Sequence, residues 1–320
     1  MTTSITPANP NMTAEARAVL AYLHEIRGKG ILLGQHTLTM AQEELSHLET
    51  LTGKLPALCG FELLSYSPNI NYPSCSEAAL KEVRENEGTL IRAYEWAERG
   101  GLVTMTWHWY SPLSGKDKSF YAENTDFDAS RVLIDGTPER EAFFRDMDVM
   151  AELLRGFLEK RIPILWRPFH ESDGTWFWWG AKGQAVAREL YGTMFRYFTD
   201  VWHLDHLIWV WNDPTAEFYV GDDYCDIASL DYYTDPHSHT ALAQQYERLT
   251  AVTKGRPYAL GEVGNIPDIG EIAEKEIDWL WFMLWSGEFA LTEAHTKPEV
   301  FCAAYRHPYA ITLDRLPRLY

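Results

Sequence analysis

Eight short apolar runs recur along this chain, and nothing else in it restricts the possible folds as strongly. They are Ile31–Gly34, Pro56–Glu62, Leu102–Trp109, Ile162–Trp166, Leu207–Trp211, Cys225–Leu230, Tyr258–Leu260 and Leu280–Trp285. Continuous apolar runs of this length suit strands buried on both faces. Between them lie helix-like stretches. Ala16, Val19, Leu20, Leu23 and Ile26 recur at helical spacing, and Met40–Thr52, Ser76–Arg99, Arg140–Lys160, Gly183–Trp202 and Ala241–Thr253 read as further helices, with a last one near Glu299–Tyr305. A strand followed by a crossover helix returns parallel to itself. Eight such units predict an α/β fold of one kind, a single (β/α)8 TIM barrel with its active site at the C-terminal ends of the strands. The 320 residues fit one barrel, so one domain is expected over 1–320. Residues 1–12, polar and Pro-containing, read as a loose N-terminal segment.

Charge narrows the class of ligand. The formal net charge is −18, which argues against nucleic acid or an anionic membrane surface as a partner and suits a neutral ligand. The 13 Trp residues lean toward carbohydrate, because C–H faces of sugar rings stack on indoles. Cys59, Cys75, Cys225 and Cys302 form no CxxC pair and no metal-ligand spacing, although a Cys59–Cys75 bridge is conceivable. No basic segment followed by an apolar one opens the chain, and no run of about 18 apolar residues occurs. The expectation is a cytoplasmic, monomeric protein; a secreted one whose signal had been removed would read the same.

The chemistry concentrates in Leu165–Gly180, LWRPFHESDGTWFWWG. An apolar run gives way to Arg167, His170 and Glu171, then to Trp176, Phe177, Trp178 and Trp179. If the barrel closes, the strand ends also bring Gln35, His36, Glu62, His108, Asn212, Asp213, Asp231, Tyr233, Glu262 and Trp285 to the same mouth. Glu171 and Glu262, on the fourth and seventh strands, would face each other. Two carboxyl groups flanking a glycosidic bond are what glycoside hydrolysis needs, one protonated and one ionised. Glu171 sits beside the aromatic loop, a setting that raises a carboxyl pKa, and is assigned as general acid/base. Glu262 stands between Gly261 and Gly264, where a substrate can approach, with Tyr233 able to donate to it; it is assigned as nucleophile. His108 and His170 are donors for sugar hydroxyls or for orienting the carboxyls. Arg167 is expected to pair with a barrel carboxylate. Glu62 is equally readable as substrate-facing or structural, and Asp231 as a structural hydrogen-bonding group.

Trp166-Arg167-Pro168-Phe169-His170-Glu171 followed by Gly174 and Trp176–Gly180 resembles the acid/base signature of glycoside hydrolase family 26, the β-mannanase family of clan A. The likeness continues through Gly221–Tyr233, Gly261-Glu262 and His307–Asp314. The resemblance implies a retaining endo-β-1,4-mannanase working by double displacement, with no cofactor and no metal. It implies Glu171 as acid/base and Glu262 as nucleophile. It also implies His108, His170, Tyr233 and Trp285 around the sugar at the cleavage point, and Trp176 at the substrate site. Ser172-Asp173, Gly34-Gln35-His36 and Trp211–Pro214 depart from the family's usual pattern. They leave β-1,4-mannan, glucomannan or galactomannan open against β-1,3-1,4-glucan or β-1,3-xylan.

Two other readings use the same residues differently. A metal-dependent barrel hydrolase would draw on His237-x-His239, although that pair lies in a Pro-containing loop and reads better as solvated. A non-catalytic sugar-binding barrel would need the Trp residues but no carboxylate pair.

Overall fold

A computed structural model describes residues 6–213, 215, 219–253 and 255–320. Its elements, in chain order, are α1 Ala14–Ile26, β1 Ile31–Thr37, α2 Glu43–Thr52, β2 Leu58–Glu62, α3 Glu77–Asn86, α4 Thr89–Glu98, β3 Leu102–Thr106, α5 Pro138–Glu159, β4 Ile164–Arg167 and α6 Gln184–Arg196. Then come β5 Leu207–Asn212, β6 Ile227–Tyr232, α7 Ala243–Val252, β7 Tyr258–Val263, α8 Ile269–Glu274, β8 Trp279–Leu284, α9 Glu288–Leu291, α10 Pro298–Arg306 and β9 Ala310–Ile311. Strands β1 to β8 pair in parallel in sequence order, and β1 pairs with both β8 and β2, which closes the barrel. This is the (β/α)8 architecture that the alternating runs predict.

Where the structure departs from the sequence reading, local chemistry explains it. The stretch Ser76–Arg99 is two helices, because Gly88 adopts a left-handed φ of 89° and breaks the ladder. Helix α6 stops at Arg196 and runs on as a π-helical turn, Tyr197–Val201. Helices α8 and α9 are too short to leave a periodic signal. Residues 1–5 lie outside the described residues, but 6–12 are held rather than loose. Asn9 and Met12 are buried, and the main-chain N–H of Ala8 donates to Asp226 at 2.7 Å. The four cysteines are free, so no Cys59–Cys75 bridge forms.

The two mouths of the barrel differ. The inward side chains Leu32, Leu58, Leu102, Leu165, Ile208, Ile227, Ala259 and Leu280 form one cluster with Met12, Ala16, Val19, Leu20 and Leu23. Helix α1 therefore plugs the N-terminal mouth, where an open barrel would leave these residues wet. At the other mouth the inward positions turn polar: Thr106, Arg167, Asn212, Asp231 and Glu262. Gly60 makes room there, since a Cβ would lie 2.6 Å from the buried His36 ring.

Candidate active site

Strand β7 presents Glu262 by breaking its own alternation. Ala259 faces the barrel interior and Leu260 the helices. Gly261 faces inward again, since its Cβ would meet Asp231, Asn212 and Ser229. A regular strand would then send Glu262 outward. Instead the register with β6 jumps from Leu230–Leu260 to Asp231–Glu262, passing over Gly261. This bulge turns the next side chain inward as well, and only a glycine fits at the bulged position.

Glu262 is buried and held by two donors. Arg167 Nη2 donates to Oε1, and Tyr233 OH donates to Oε2 at 2.9 Å. The same guanidinium donates to Asp231 Oδ2 at 2.8 Å and to Thr106 Oγ1 at 3.1 Å. Asp231 Oδ1 takes a further bond from Asn212 Nδ2 at 2.8 Å. Glu171 lies just beyond β4, in a turn where Phe169 and Glu171 both have φ of 53°. Its main-chain N–H donates to Asn212 Oδ1 at 2.8 Å, which ties the turn to β5. Its carboxyl receives one side-chain bond, from Trp176 Nε1 at 2.8 Å.

Oxygens of Glu171, Asp231 and Glu262 all come within 4.8 Å of one another. One guanidinium does not neutralise three such carboxylates, so each of them resists ionisation. Burial lifts Asp231 and Glu262, and Arg167 opposes the lift on both. Burial and then the Asp231 charge push Glu171 up to about 7. Glu171 has the fewest donors and no contact with the cation, so it is the carboxyl whose protonated form is least opposed. Glu262, with an arginine and a tyrosine hydroxyl on it, is the one stabilised as an anion.

The other residues singled out in the sequence surround this pair. His108 sits on the mouth side of β3, with its Nε2 3.2 Å from His170 Nε2. Trp285 stacks on His36 with ring centroids 4.1 Å apart. Trp176 is 48% exposed and Tyr233 42%, so both present ring surface to the mouth. The neighbouring aromatics do not. Phe177, Trp178 and Trp179 are buried, with Trp178 Nε1 donating to the Trp109 carbonyl and Trp179 Nε1 to the His170 carbonyl. Trp107 and Trp109 stack on each other at 4.0 Å below the rim. Gln35 is spent on the carbonyls of His36, Leu284 and Trp285. Asp213 accepts from Ser172, Gln184 and Thr215; Pro214 lies outside the described residues. The long polar segment after β3 backs the aromatic loop, with Ala122 N–H donating to the Trp176 carbonyl at 2.7 Å and Trp178 N–H to that of Phe120 at 3.0 Å.

Among the described residues, Glu171, Asp231 and Glu262 are the one group of three side chains spaced to hold a metal ion, and Arg167 already bonds two of them. His237 and His239 join no such group, and His239 Nδ1 lies 2.7 Å from the Ile266 carbonyl. Asn212, which anchors both the Glu171 turn and Asp231, is a contributor that sequence reading located without assigning a task.

Comparison with known proteins agrees with this geometry. The profile of Glycosyl hydrolase family 26 matches residues 8–315. The chain belongs to that family. A mannan endo-1,4-beta-mannosidase of Thermothelomyces thermophilus is 36% identical over 318 residues, 96% of this chain and 62% of that protein. Mannan endo-1,4-beta-mannosidase A of a Piromyces species is 27% identical over 98% of this chain and 50% of its own length. The chain thus spans between half and two thirds of the length of these two relatives. Among solved structures, the GH26-CBM35 beta-(1,4)-mannanase of Podospora anserina superposes with a TM-score of 0.89 at 31% identity, covering 99% of this chain and 70% of that one. A beta-mannanase from a symbiotic protist of the termite Reticulitermes speratus, complexed with gluco-manno-oligosaccharide, gives a TM-score of 0.87 at 28% identity, covering 98% of each chain.

Proposed function

We propose that this chain is a retaining endo-β-1,4-mannanase, with Glu171 as acid/base and Glu262 as nucleophile. The observation that carries the reading is the approach of the two carboxyl groups, whose oxygens come within 4.8 Å. Retaining glycosidases keep their carboxyls about 5–5.5 Å apart, whereas inverting ones need roughly 6.5–9.5 Å to admit a water between carboxylate and sugar. Glu262 attacks the anomeric carbon as Glu171 protonates the departing glycosidic oxygen. Glu171, now ionised, then takes a proton from the water that cleaves the glycosyl–enzyme ester. Arg167 and Tyr233 hold the attacking carboxylate in line. Trp176, exposed and bonded to the acid, offers a face to the departing sugar.

The mannan preference rests on the relatives, whose names carry that activity, and on the gluco-manno-oligosaccharide held by one of the similar structures. The test is reducing-sugar release from mannan, glucomannan, lichenan and β-1,3-xylan, with Glu262→Ala as control. Mannan cleavage with retained anomeric configuration, abolished in the variant, is the expected result. Cleavage of lichenan or xylan alone would keep the mechanism and change the substrate. Binding of oligosaccharide without turnover would overturn the hydrolase reading.

A further inference from the structure

A second carboxylate–histidine system lies behind the catalytic pair. Glu62, at the end of β2, is fully buried. Its Oε1 accepts two main-chain N–H groups, from Leu63 at 2.9 Å and His108 at 2.8 Å. Its Oε2 faces His108 Nδ1 at 2.6 Å. The other nitrogen of His108 faces His170 Nε2. His170 is the residue bonded to Glu171, and its carbonyl is fixed by Trp179. Three side chains on β2 and just past β3 and β4 therefore form one hydrogen-bonded line that ends on His170, the residue before the acid/base.

Two imidazole nitrogens 3.2 Å apart cannot both be bare, and cannot both carry hydrogen. Either His108 is doubly protonated and donates to a bare His170 Nε2, or His108 carries hydrogen on Nδ1 alone and His170 Nε2 donates to it. The states differ by one proton, and in passing between them His170 changes tautomer. His170 Nδ1 is buried with no partner among the described residues, so no protein group pins its hydrogen from that side. The choice is made at His108, and Glu62 is the anion against it.

We propose that Glu62 is a positioning residue for the reaction: it holds the second proton on His108, and so fixes the hydrogen of His170 on Nδ1. The electrostatics agree in direction. Burial disfavours a charged His108, but Glu62, joined by Glu262 and Glu82, outweighs it and lifts His108 above the ordinary histidine range. Burial, then His108 and Arg167, hold His170 well below that range. Around His108 the charged and titratable groups are Glu62 on β2, Glu262 on β7, Glu82 on α3, His36 on β1, Arg167 on β4, and His170 and Glu171 just past it. The resulting cation favours the ionised forms of both Glu171 and Glu262. Glu62 thereby also helps set the pH window of the pair.

The proposal rests on the hydrolase reading for its consequence but not for its test. The ring nitrogens of His108 and His170 can be followed by 15N NMR on the resting protein, between about pH 5 and 8, where histidines titrate. In the wild type His108 is expected to hold both ring hydrogens near neutral pH, with His170 protonated on Nδ1. In Glu62→Gln, His108 should lose its second proton, and the His170 hydrogen should move to Nε2. kcat on mannan should fall about tenfold or more with a smaller change in KM, and the pH profile should shift. Glu62→Asp keeps the charge and should retain the doubly protonated ring and more of kcat. A singly protonated His108 in the wild type overturns the proposal, as do ring states and pH profile unchanged in Glu62→Gln, or equal losses in the Gln and Asp variants. If Glu62→Gln fails to fold, the wild-type spectrum and Glu62→Asp decide by the same criteria. A wild type inactive on every glycan, yet with the expected ring states, would sink the hydrolase reading and leave the proton arrangement standing.

Discussion

Glu171 and Glu262 carry the same functional group, and their different donors separate their roles. Replacing Glu262 by Gln removes the proposed nucleophile while keeping its place beside Arg167 and Tyr233. Activity should fall by about 10⁴-fold or more with the fold intact, read as kcat on mannan beside circular dichroism. Glu171 is raised to about 7, so kcat/KM should decline on the alkaline side around that pH, and Glu171→Ala should lose this limb. The same shift bears on stability. A carboxyl raised in the folded state binds its proton more tightly there than in the unfolded chain. Its contribution is therefore present below about pH 4.3, the ordinary glutamate value, and is lost as pH rises through about 7. Glu171→Gln, neutral at every pH, should gain Tm over the wild type at about pH 8 and not at about pH 4. Glu171 and Glu262 were legible in the sequence because each follows an apolar strand-like run and sits beside a telling neighbour, aromatic in one case and glycine in the other. Glu62 was not resolved, since its partner His108 is 46 residues away and the contact exists only once β2 and β3 pair.

Strands β1 to β8 were readable because strands covered on both faces must be apolar along their length, whereas the bulge in β7 leaves only a Gly beside a Glu. That glycine is where sequence and site geometry meet. An alanine at 261 would bring its Cβ to 2.5 Å from Asp231 Oδ1 and 2.9 Å from Asn212 Nδ2, groups already committed to Arg167 and to the Glu171 turn. Either they move or the bulge straightens, and both displace Glu262 from Arg167. Gly261→Ala should lower kcat by about 100-fold, the scale of a misplacement near 1 Å, while circular dichroism stays that of the wild type. Helix α1 gives the converse case. Leu20 is buried in the plug at the opposite mouth, so Leu20→Ala should cost about 2–5 kcal/mol in chemical denaturation. Its kcat at a temperature where the variant is folded should match the wild type. Residues 6–12 looked loose for want of hydrophobic periodicity. Met12 packs into the plug, and Ala8 and Asn9 bond Asp226 and Asp205 at the strand bases; single contacts of this kind leave no pattern in a sequence.

At the scale of the molecule, one mouth of the barrel is closed by apolar packing and the other gathers the polar side chains of the proposed catalytic site, so stability and the proposed catalysis draw on different ends of the same strands. The net charge of −18 acts on both through its field, but differently. A chain so far from neutrality repels itself, and that repulsion is weaker in the expanded unfolded state. Raising ionic strength from about 20 to 300 mM shortens the screening length from roughly 20 Å to below 10 Å and relieves the repulsion mainly in the folded form. Tm should therefore rise with salt over this range. A mannan chain is uncharged, so the same field cannot steer it, and kcat/KM on soluble galactomannan should stay constant within about twofold, in contrast to the 10- to 1,000-fold salt effects of charged substrates. Opposite outcomes would carry equal weight. A kcat/KM that falls steeply with salt would mean that the ligand bears positive charge, which no neutral glycan does, and the substrate assignment would fail while the carboxylate pair remained.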